Sequence, residues 1–380
     1  MRRRMLVFAA LVAALAFVAA GCGGDDEESS GTTGTGGAAA TGGNAEGSIW
    51  VLLPDTESSD RWEKDDRRFF KQAFDDAGVE SNIVNAEGDA ATQLQQAEQA
   101  INAGAKVILL VNLSSESGAT IIDTARDADV KVVDYDRLTA AGSGADAYVS
   151  FDNVKVGQTM ADTVGPVIDE LEGTPNVVLM NGGPTDNNSK LFKQGYYESG
   201  DFAVKEKADA GDVKVVADQD VPDWDNQEAL TLFEQILVAN KNDVDAVYAA
   251  NDGIAGAVVS ALKSANHDPV PLSGQDATVG GIQNVLAGWQ TMTVYKPIKA
   301  EADAAAAIAI GLLNGEDPKD VEGEWEVQSI NNGEADLPYI ALEPIAVTKD
   351  NIEETVIEDG FRTWDEVCTG EFEQYCPENR

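Results

Sequence analysis

Histidine occurs once in the 380 residues and cysteine three times, and 26 basic side chains face 67 acidic ones. Each scarcity closes off a chemistry. A zinc site of the usual Cys/His kind lacks its ligands. A histidine-dependent triad would rest on His267 alone, which sits in the polar turn Ser264-Ala-Asn-His-Asp-Pro269 and reads as an exposed bystander. No metal, cofactor or catalytic residue is expected. The formal net charge of −41 repels phosphate backbones and anionic lipid alike, so nucleic acid is not an expected partner. The acidic excess reads as a solvated surface that keeps the chain soluble, rather than as a cation site. Beyond residue 20 no apolar run is long enough to span a bilayer.

What is present begins with an export signal. Met1-Arg-Arg-Arg4 is basic, and Met5 to Ala20 is apolar without a charge. Ala19-Ala20-Gly21 then precede Cys22 as a lipoprotein signal peptidase requires, although Ala19 stands where a bulkier aliphatic residue is usual. Residues 1–22 are therefore expected to be a lipoprotein signal peptide with Cys22 as the lipidated residue, which would place the protein on the outer face of the cell membrane. Residues 23–47 hold no aromatic and no large aliphatic side chain, so they cannot bury enough surface to offset the entropy of ordering and read as a flexible tether. Outside the cytoplasm, the nearby Cys368 and Cys376 are candidates for a disulfide that pins the tail over 366–380.

The body from Ser48 onward exceeds the size at which single cores stop growing, which predicts two lobes. Short β-branched runs alternate with amphipathic stretches. Ile49 to Leu53 reads as a strand, and Arg61 to Ala77 as a helix with Trp62, Phe69, Phe70, Ala73, Phe74 and Ala77 on one stripe, ended by Gly78. Helices over about 91–103 and 116–127 and strands over 106–111 and 130–134 continue the first array. Strands over 176–180, 213–217 and 246–250, with helices after Asp152, near Lys190, over about 227–239 and over about 253–264, make the second. The strands are apolar on both faces, as in parallel sheets covered by helices on each side, so the expected fold is α/β with two doubly wound lobes.

In such sheets ligands are met just beyond the carboxyl ends of the strands. Those positions carry Asp60-Arg61-Trp62, Asp136-Arg137, Asp186-Asn187-Asn188, Trp224, Asn251-Asp252, Asp276 and Lys296. A carboxylate accepts two vicinal hydroxyls, a guanidinium donates through a rigid fork, and amides do both, which is what a sugar's hydroxyls need. The C–H face of a sugar ring packs on indole, which Trp62 and Trp224 can supply from opposite lobes. Arg61, Arg137 and Lys296 balance Asp136, Asp186 and Asp276, so a charged ligand would lack compensation and an uncharged polyol fits. Single members such as Asp60 or Asp252 read equally well as helix caps or surface ion pairs. A glycosidase would need one raised and one lowered acid, whereas each candidate acid has a cation or amide beside it that should lower its pKa.

The stretches Arg61-Trp-Glu-Lys-Asp65, Tyr135-Asp-Arg137, Val149-Ser-Phe-Asp-Asn-Val-Lys-Val-Gly157, Asp186-Asn-Asn-Ser-Lys-Leu-Phe192, Ala250-Asn-Asp252, Ser273-Gly-Gln-Asp276 and Gln290-Thr-Met-Thr-Val-Tyr-Lys-Pro297 carry a resemblance. The chain is similar to the periplasmic-binding-protein family of sugar ABC transporters, most of all to its D-xylose-binding subgroup. The resemblance implies a type I periplasmic-binding-protein fold with a three-segment hinge: 48–152 plus about 297–327 in the first lobe, and 153–296 plus about 328–365 in the second. It implies that Arg61, Asp136, Arg137, Asn188, Asn251, Asp276 and Lys296 hydrogen-bond the sugar, with Asp186 a weaker match, while Trp62 and Trp224 sandwich it. It further implies a monomer that presents its ligand to membrane permease subunits and is not an enzyme. Glucose, galactose or a broad aldose range remain open beside xylose, as does a role as a sugar sensor docking on a membrane receptor. A sugar-responsive transcription regulator would carry a helix-turn-helix where residues 1–47 have an export signal and a linker. Residues 323–336 and the cysteine-bearing tail depart most from the family pattern.

Overall fold

A computed structural model describes residues 47–378 and 380; the expected signal peptide, Cys22 and all of the 23–47 tether except Gly47 lie outside the described residues. The described chain opens with β1 (Ser48–Leu53), α1 (Arg67–Ala77), β2 (Ser81–Asn85), α2 (Ala90–Asn102), β3 (Ala105–Leu110), α3 (Ser115–Asp127), β4 (Lys131–Tyr135) and β5 (Ala147–Phe151). Local chemistry sets the helix ends. Asp89 accepts from the Thr92 N–H at the start of α2, Ser114 and Ser117 form a capping box on α3, and Gly78 closes α1 with a left-handed φ of 67°.

A second array follows: α4 (Asn153–Asp169), β6 (Asn176–Asn181), α5 (Asn187–Lys193), α6 (Val204–Ala210), β7 (Lys214–Asp220), α7 (Asn226–Ala239), β8 (Ala246–Ala249), α8 (Asp252–Ser264) and α9 (Val279–Ala287). The chain then crosses back through β9 (Thr293–Tyr295) to α10 (Ile298–Leu313), forms the hairpin β10 (Val327–Asn331) and β11 (Asp336–Leu342), and returns through β12 (Ile345–Val347) towards α11 (Trp364–Val367).

The first sheet runs β10-β11-β5-β4-β3-β1-β2 and is parallel except for β10. Its strands alternate between two buried faces. Val51, Leu109 and Val133 join a core with Phe70, Phe74 and the alanines of α10, while Leu52, Ile108 and Val132 join one with Ala97, Ile121 and Ala125 of α2 and α3. The second sheet, β7-β6-β8, is continued by single bridges from Val247 to Leu272 and from Gln275 to Val294, and it has its own core around Val178, Met180, Phe233 and Val258. Two lobes, each a helix-covered parallel sheet, are thus linked by three crossings: after β5, after β9 and between β11 and β12.

Four local expectations change. The segment expected to enter the second lobe at about residue 328 instead forms β10 and β11, and β11 pairs in parallel with β5 of the first sheet, so the chain leaves that lobe only after Leu342. Its sequence is polar because β10 is a half-exposed edge strand. β2 was not apparent for the same reason: none of its residues is fully buried. The helix expected from Arg61 begins as a single wide turn over Trp62–Asp66 before α1 proper, and Ala77, placed on the apolar stripe, is exposed. The bulged β7 extends to Asp220, beyond the expected Ala217.

Candidate functional site

Ten of the thirteen strand-end residues line one cavity between the lobes: Arg61, Trp62, Asp136, Arg137, Asp186, Asn188, Trp224, Asn251, Asp276 and Lys296. Ser58, Ser59, Phe192 and Gln275 complete the lining.

The backbone turns sharply to present these groups. Asp136 follows β4 with φ 59°, Trp224 follows β7 with φ 59°, and Asp276 has φ 96°. Left-handed geometry at non-glycine positions is uncommon and costs free energy, and three of the residues that adopt it here deliver side chains to the cavity.

Asp136 sits at the centre of the charged cluster. Its Oδ2 accepts from Arg61 Nη1 at 2.8 Å and Lys296 Nζ at 3.0 Å, and its Oδ1 accepts from Asn188 Nδ2 at 3.0 Å. Burial alone would raise this carboxyl, but Lys296 and then Arg61 hold it far below the usual carboxylate range. Arg61 is 2% exposed and largely committed: Nε and Nη2 donate to Asp66 and Nη2 also to Glu301 at 2.6 Å, which leaves a single N–H on Nη1 for any ligand. Burial raises the Asp66 carboxyl against the pull of Arg61, and pushes Glu301 up to about 8.

Asp66 and Glu301 revise the expected balance of three cations against three acids, because two further buried carboxylates share Arg61. Burial favours the neutral form of Glu301, yet Asp66 still shares Arg61, Asp186 holds Arg137 and Asp136 holds Lys296, so no positive charge in the cluster is left uncommitted. An anionic ligand would find no partner, and a neutral one needs none. Sequence reasoning missed both acids. Asp66 follows immediately on the motif that contains Arg61, and Glu301 is a buried charge among the alanines of α10, facing the same core as Ala302 and Ala305.

On the other side, Asp186 does the work of alignment. Its Oδ1 accepts from the Asn188 N–H and so caps α5, while its Oδ2 meets Arg137 Nε at 3.1 Å and Trp224 Nε1 at 3.2 Å. Burial raises its carboxyl despite Arg137, which departs from the expectation that every acid here would be lowered. Trp224 rests on a diglycine: a β-carbon on Gly182 or Gly183 would fall 2.0 or 2.9 Å from the indole. Asn181-Gly-Gly-Pro184 was therefore a legible signal that went unused. Trp62 donates to Ser58 Oγ at 3.0 Å, with the Arg61 guanidinium 4.4 Å from its ring centre.

Several contacts join the lobes directly. Asn188 Nδ2 reaches Asp136, Arg137 meets Asp186, Asn251 Nδ2 donates to the Ser58 carbonyl at 3.1 Å, and Ser59 Oγ donates to Asp276 Oδ2 at 2.9 Å. The cleft described is a closed one. Asn251 also caps α8 through the Ile254 N–H.

The neighbours of these residues lie outside the lining, and of them only Asp60 forms a surface ion pair. Asp60 is exposed and pairs with Lys64. Asp252 accepts from Gln290 and Thr278, has its carboxyl raised to about 7 by burial, and lies outside the cavity lining. Asn187 is half-buried and also outside it. His267 contacts the backbone carbonyls of Asp268 and Asn242, away from the cavity. Cys368 and Cys376 are bridged, with Cα atoms 6.1 Å apart.

Comparison with known proteins gives a family model described as a periplasmic binding protein domain, matched over residues 50–317. The D-xylose-binding periplasmic protein of Escherichia coli K12 is 40% identical over 303 residues, covering 80% of this chain and 87% of that protein. The multiple sugar-binding periplasmic receptor ChvE of Rhizobium radiobacter is 28% identical, over 85% of this chain and 92% of its own. Among solved structures, a carbohydrate transporter solute-binding protein from Chloroflexus aurantiacus in complex with D-glucose superposes with a TM-score of 0.74 at 27% identity, covering 84% of this chain and 97% of that one.

Proposed function

This chain belongs to the family of periplasmic binding protein domains, and from that premise we propose that it captures a neutral monosaccharide, D-xylose foremost, for an ABC importer in the cell membrane. The observation that carries the reading is the lining itself: two indoles, three cations already neutralised by acids, and three amides around one cavity. An uncharged ring can exchange hydrogen bonds with Asp136, Arg137, Asn188, Asn251, Asp276 and Lys296, and take one from Arg61, without stranding a charge. Trp62 and Trp224 cover its apolar faces, and Asp186 holds Arg137 and Trp224 in position. The 40% identity to a protein named for D-xylose binding supports the pentose.

Binding works by closure. The open lobes admit the sugar, which touches both and favours the closed arrangement by its differential contacts. The hinge is the three crossings near residues 152, 296 and 343, and the closed pair is what permease subunits recognise. Cys22 carries the lipid that keeps the monomeric body at the membrane. Replacing Cys22 with Ser should release the protein from the membrane fraction; retention there would remove the anchor from the proposal.

A broader aldose preference is favoured by one specific observation, the D-glucose held in the similar Chloroflexus structure. Calorimetric titration with xylose, glucose, galactose, arabinose and ribose separates the two. Xylose or glucose should bind tightest and the others more weakly. A preference for ribose, or heat from a sugar acid alone, would overturn the assignment.

A further inference from the structure

After β12 the chain does not trail away but docks on the second lobe. Lys349 Nζ donates to the Leu286 carbonyl at 3.0 Å, Gln283 Nε2 donates to the Val367 carbonyl at 2.8 Å, and the Cys368–Cys376 bridge closes the last turn. From that platform Arg362 reaches across to the first lobe. Its Nη1 and Nη2 meet Asp65 Oδ1 and Oδ2 at 3.1 and 2.9 Å, while its Nε donates to the Ala277 carbonyl at 3.1 Å.

Both anchor points belong to the binding segments. Asp65 lies on the wide turn that carries Trp62, just after Arg61, and Ala277 directly follows Asp276. The guanidinium also stacks on Phe361 at 3.7 Å from the ring centre, and Phe361 packs at 4.9 Å on Tyr295, the residue before Lys296. Arg362 is 8% exposed and Asp65 3%.

We propose that the C-terminal tail is a latch on the closed cleft, in which Arg362 is a positioning residue that holds the Arg61–Trp62 turn against the Asp276 turn and thereby sets how long a ligand is retained. A bidentate guanidinium–carboxylate pair is strong and geometrically demanding, and it forms only when Asp65 and the tail are brought together. When the lobes part, Asp65 keeps only the half-exposed Arg68, and Arg362 only the Ala277 carbonyl and Phe361. The pair therefore stabilises closed over open without touching the ligand, and its loss appears in the off-rate.

The ligand readout rests on the sugar-binding proposal; a second readout does not. Stopped-flow tryptophan fluorescence with D-xylose compares the parent with Arg362→Ala, Arg362→Lys and Asp65→Asn. The Ala and Asn variants should release xylose about tenfold faster with an on-rate within about twofold of the parent, and Lys should recover part of the loss. The ratio of xylose to glucose affinity should not move. An unchanged off-rate, or a loss shared equally by on-rate and off-rate, overturns the latch. Spin labels on the two lobes give the second readout: the ligand-free Ala variant should populate longer inter-lobe distances than the parent. Should Arg362→Ala fail to fold, Arg362→Lys and Asp65→Asn carry both measurements. A parent that binds no aldose ends the sugar reading, yet the label distances still decide the latch: a shift in the variants upholds it, and identical distributions overturn it.

Discussion

The Trp224 indole occupies the space that a side chain on Gly182 would need: a β-carbon there falls 2.0 Å from Trp224 Cη2. The ring cannot retreat freely, because its Nε1 is tied to Asp186 and its other neighbour is the edge of Phe192. Gly182→Ala should therefore push the indole into the cavity and weaken monosaccharide binding about as much as Trp224→Ala, on the order of 1–3 kcal/mol. Titration of both variants checks this. An affinity for Gly182→Ala equal to the parent's would show that the indole does not bound the ligand.

Asp136 ties together Arg61, Lys296 and Asn188. Asp136→Asn keeps the shape but leaves two buried cations sharing a neutral amide. Removing one partner of a buried ion pair costs about 3–5 kcal/mol, so the melting temperature should drop markedly even without ligand. A variant that melts with the parent would mean that Asp66 and Glu301 satisfy Arg61, and Asp276 satisfies Lys296, without it.

The pH dependence has a definite sign. Burial raises Glu301 to about 8, and Asp134 and Asp252 to about 7, all above their unfolded values near 4. A raised acid contributes stability that is full below its unfolded pKa and is lost as pH climbs to the folded one. Stability should accordingly fall from about pH 5 to pH 8. Glu301→Gln should flatten that slope and be no less stable than the parent at pH 8, as denaturant melts at several pH values would reveal. Asp136, held low, acts in the opposite sense and loses its contribution only under strong acid. A slope unaltered in Glu301→Gln would show that this carboxyl is already ionised in the fold.

Much of the site was legible in sequence because a parallel sheet delivers its ligand residues at one kind of place, and ten of the thirteen strand-end positions do meet there. Identity of type was enough for Trp224 or Lys296, whose side chains have few other reasons to be buried. Pairing was not legible. Glu301 lies 240 positions from Arg61, and nothing local in α10 announces that its carboxylate turns inward to a guanidinium. Edge strands failed for a different reason: β2 and β10 are half exposed, so the apolar alternation that betrays β1 or β3 is missing from them.

The Cys368–Cys376 bridge spans eight residues. A loop that short restricts the unfolded chain only modestly, by about 2–3 kcal/mol on the loop-entropy account. Its effect should also be local, because the bridged segment contacts α9 through Gln283 and the buried Val367 rather than the parallel sheets. Cys376→Ser should therefore raise hydrogen exchange in residues 364–376 while leaving amides of β1, β3 and β6 as protected as before. Loosening confined to the tail would leave Arg362 less firmly held, so the same variant should also release ligand faster, though less so than Arg362→Ala. A uniform loss of protection across both sheets would instead make the bridge part of the global fold, and the separation between tail and core would have to be abandoned.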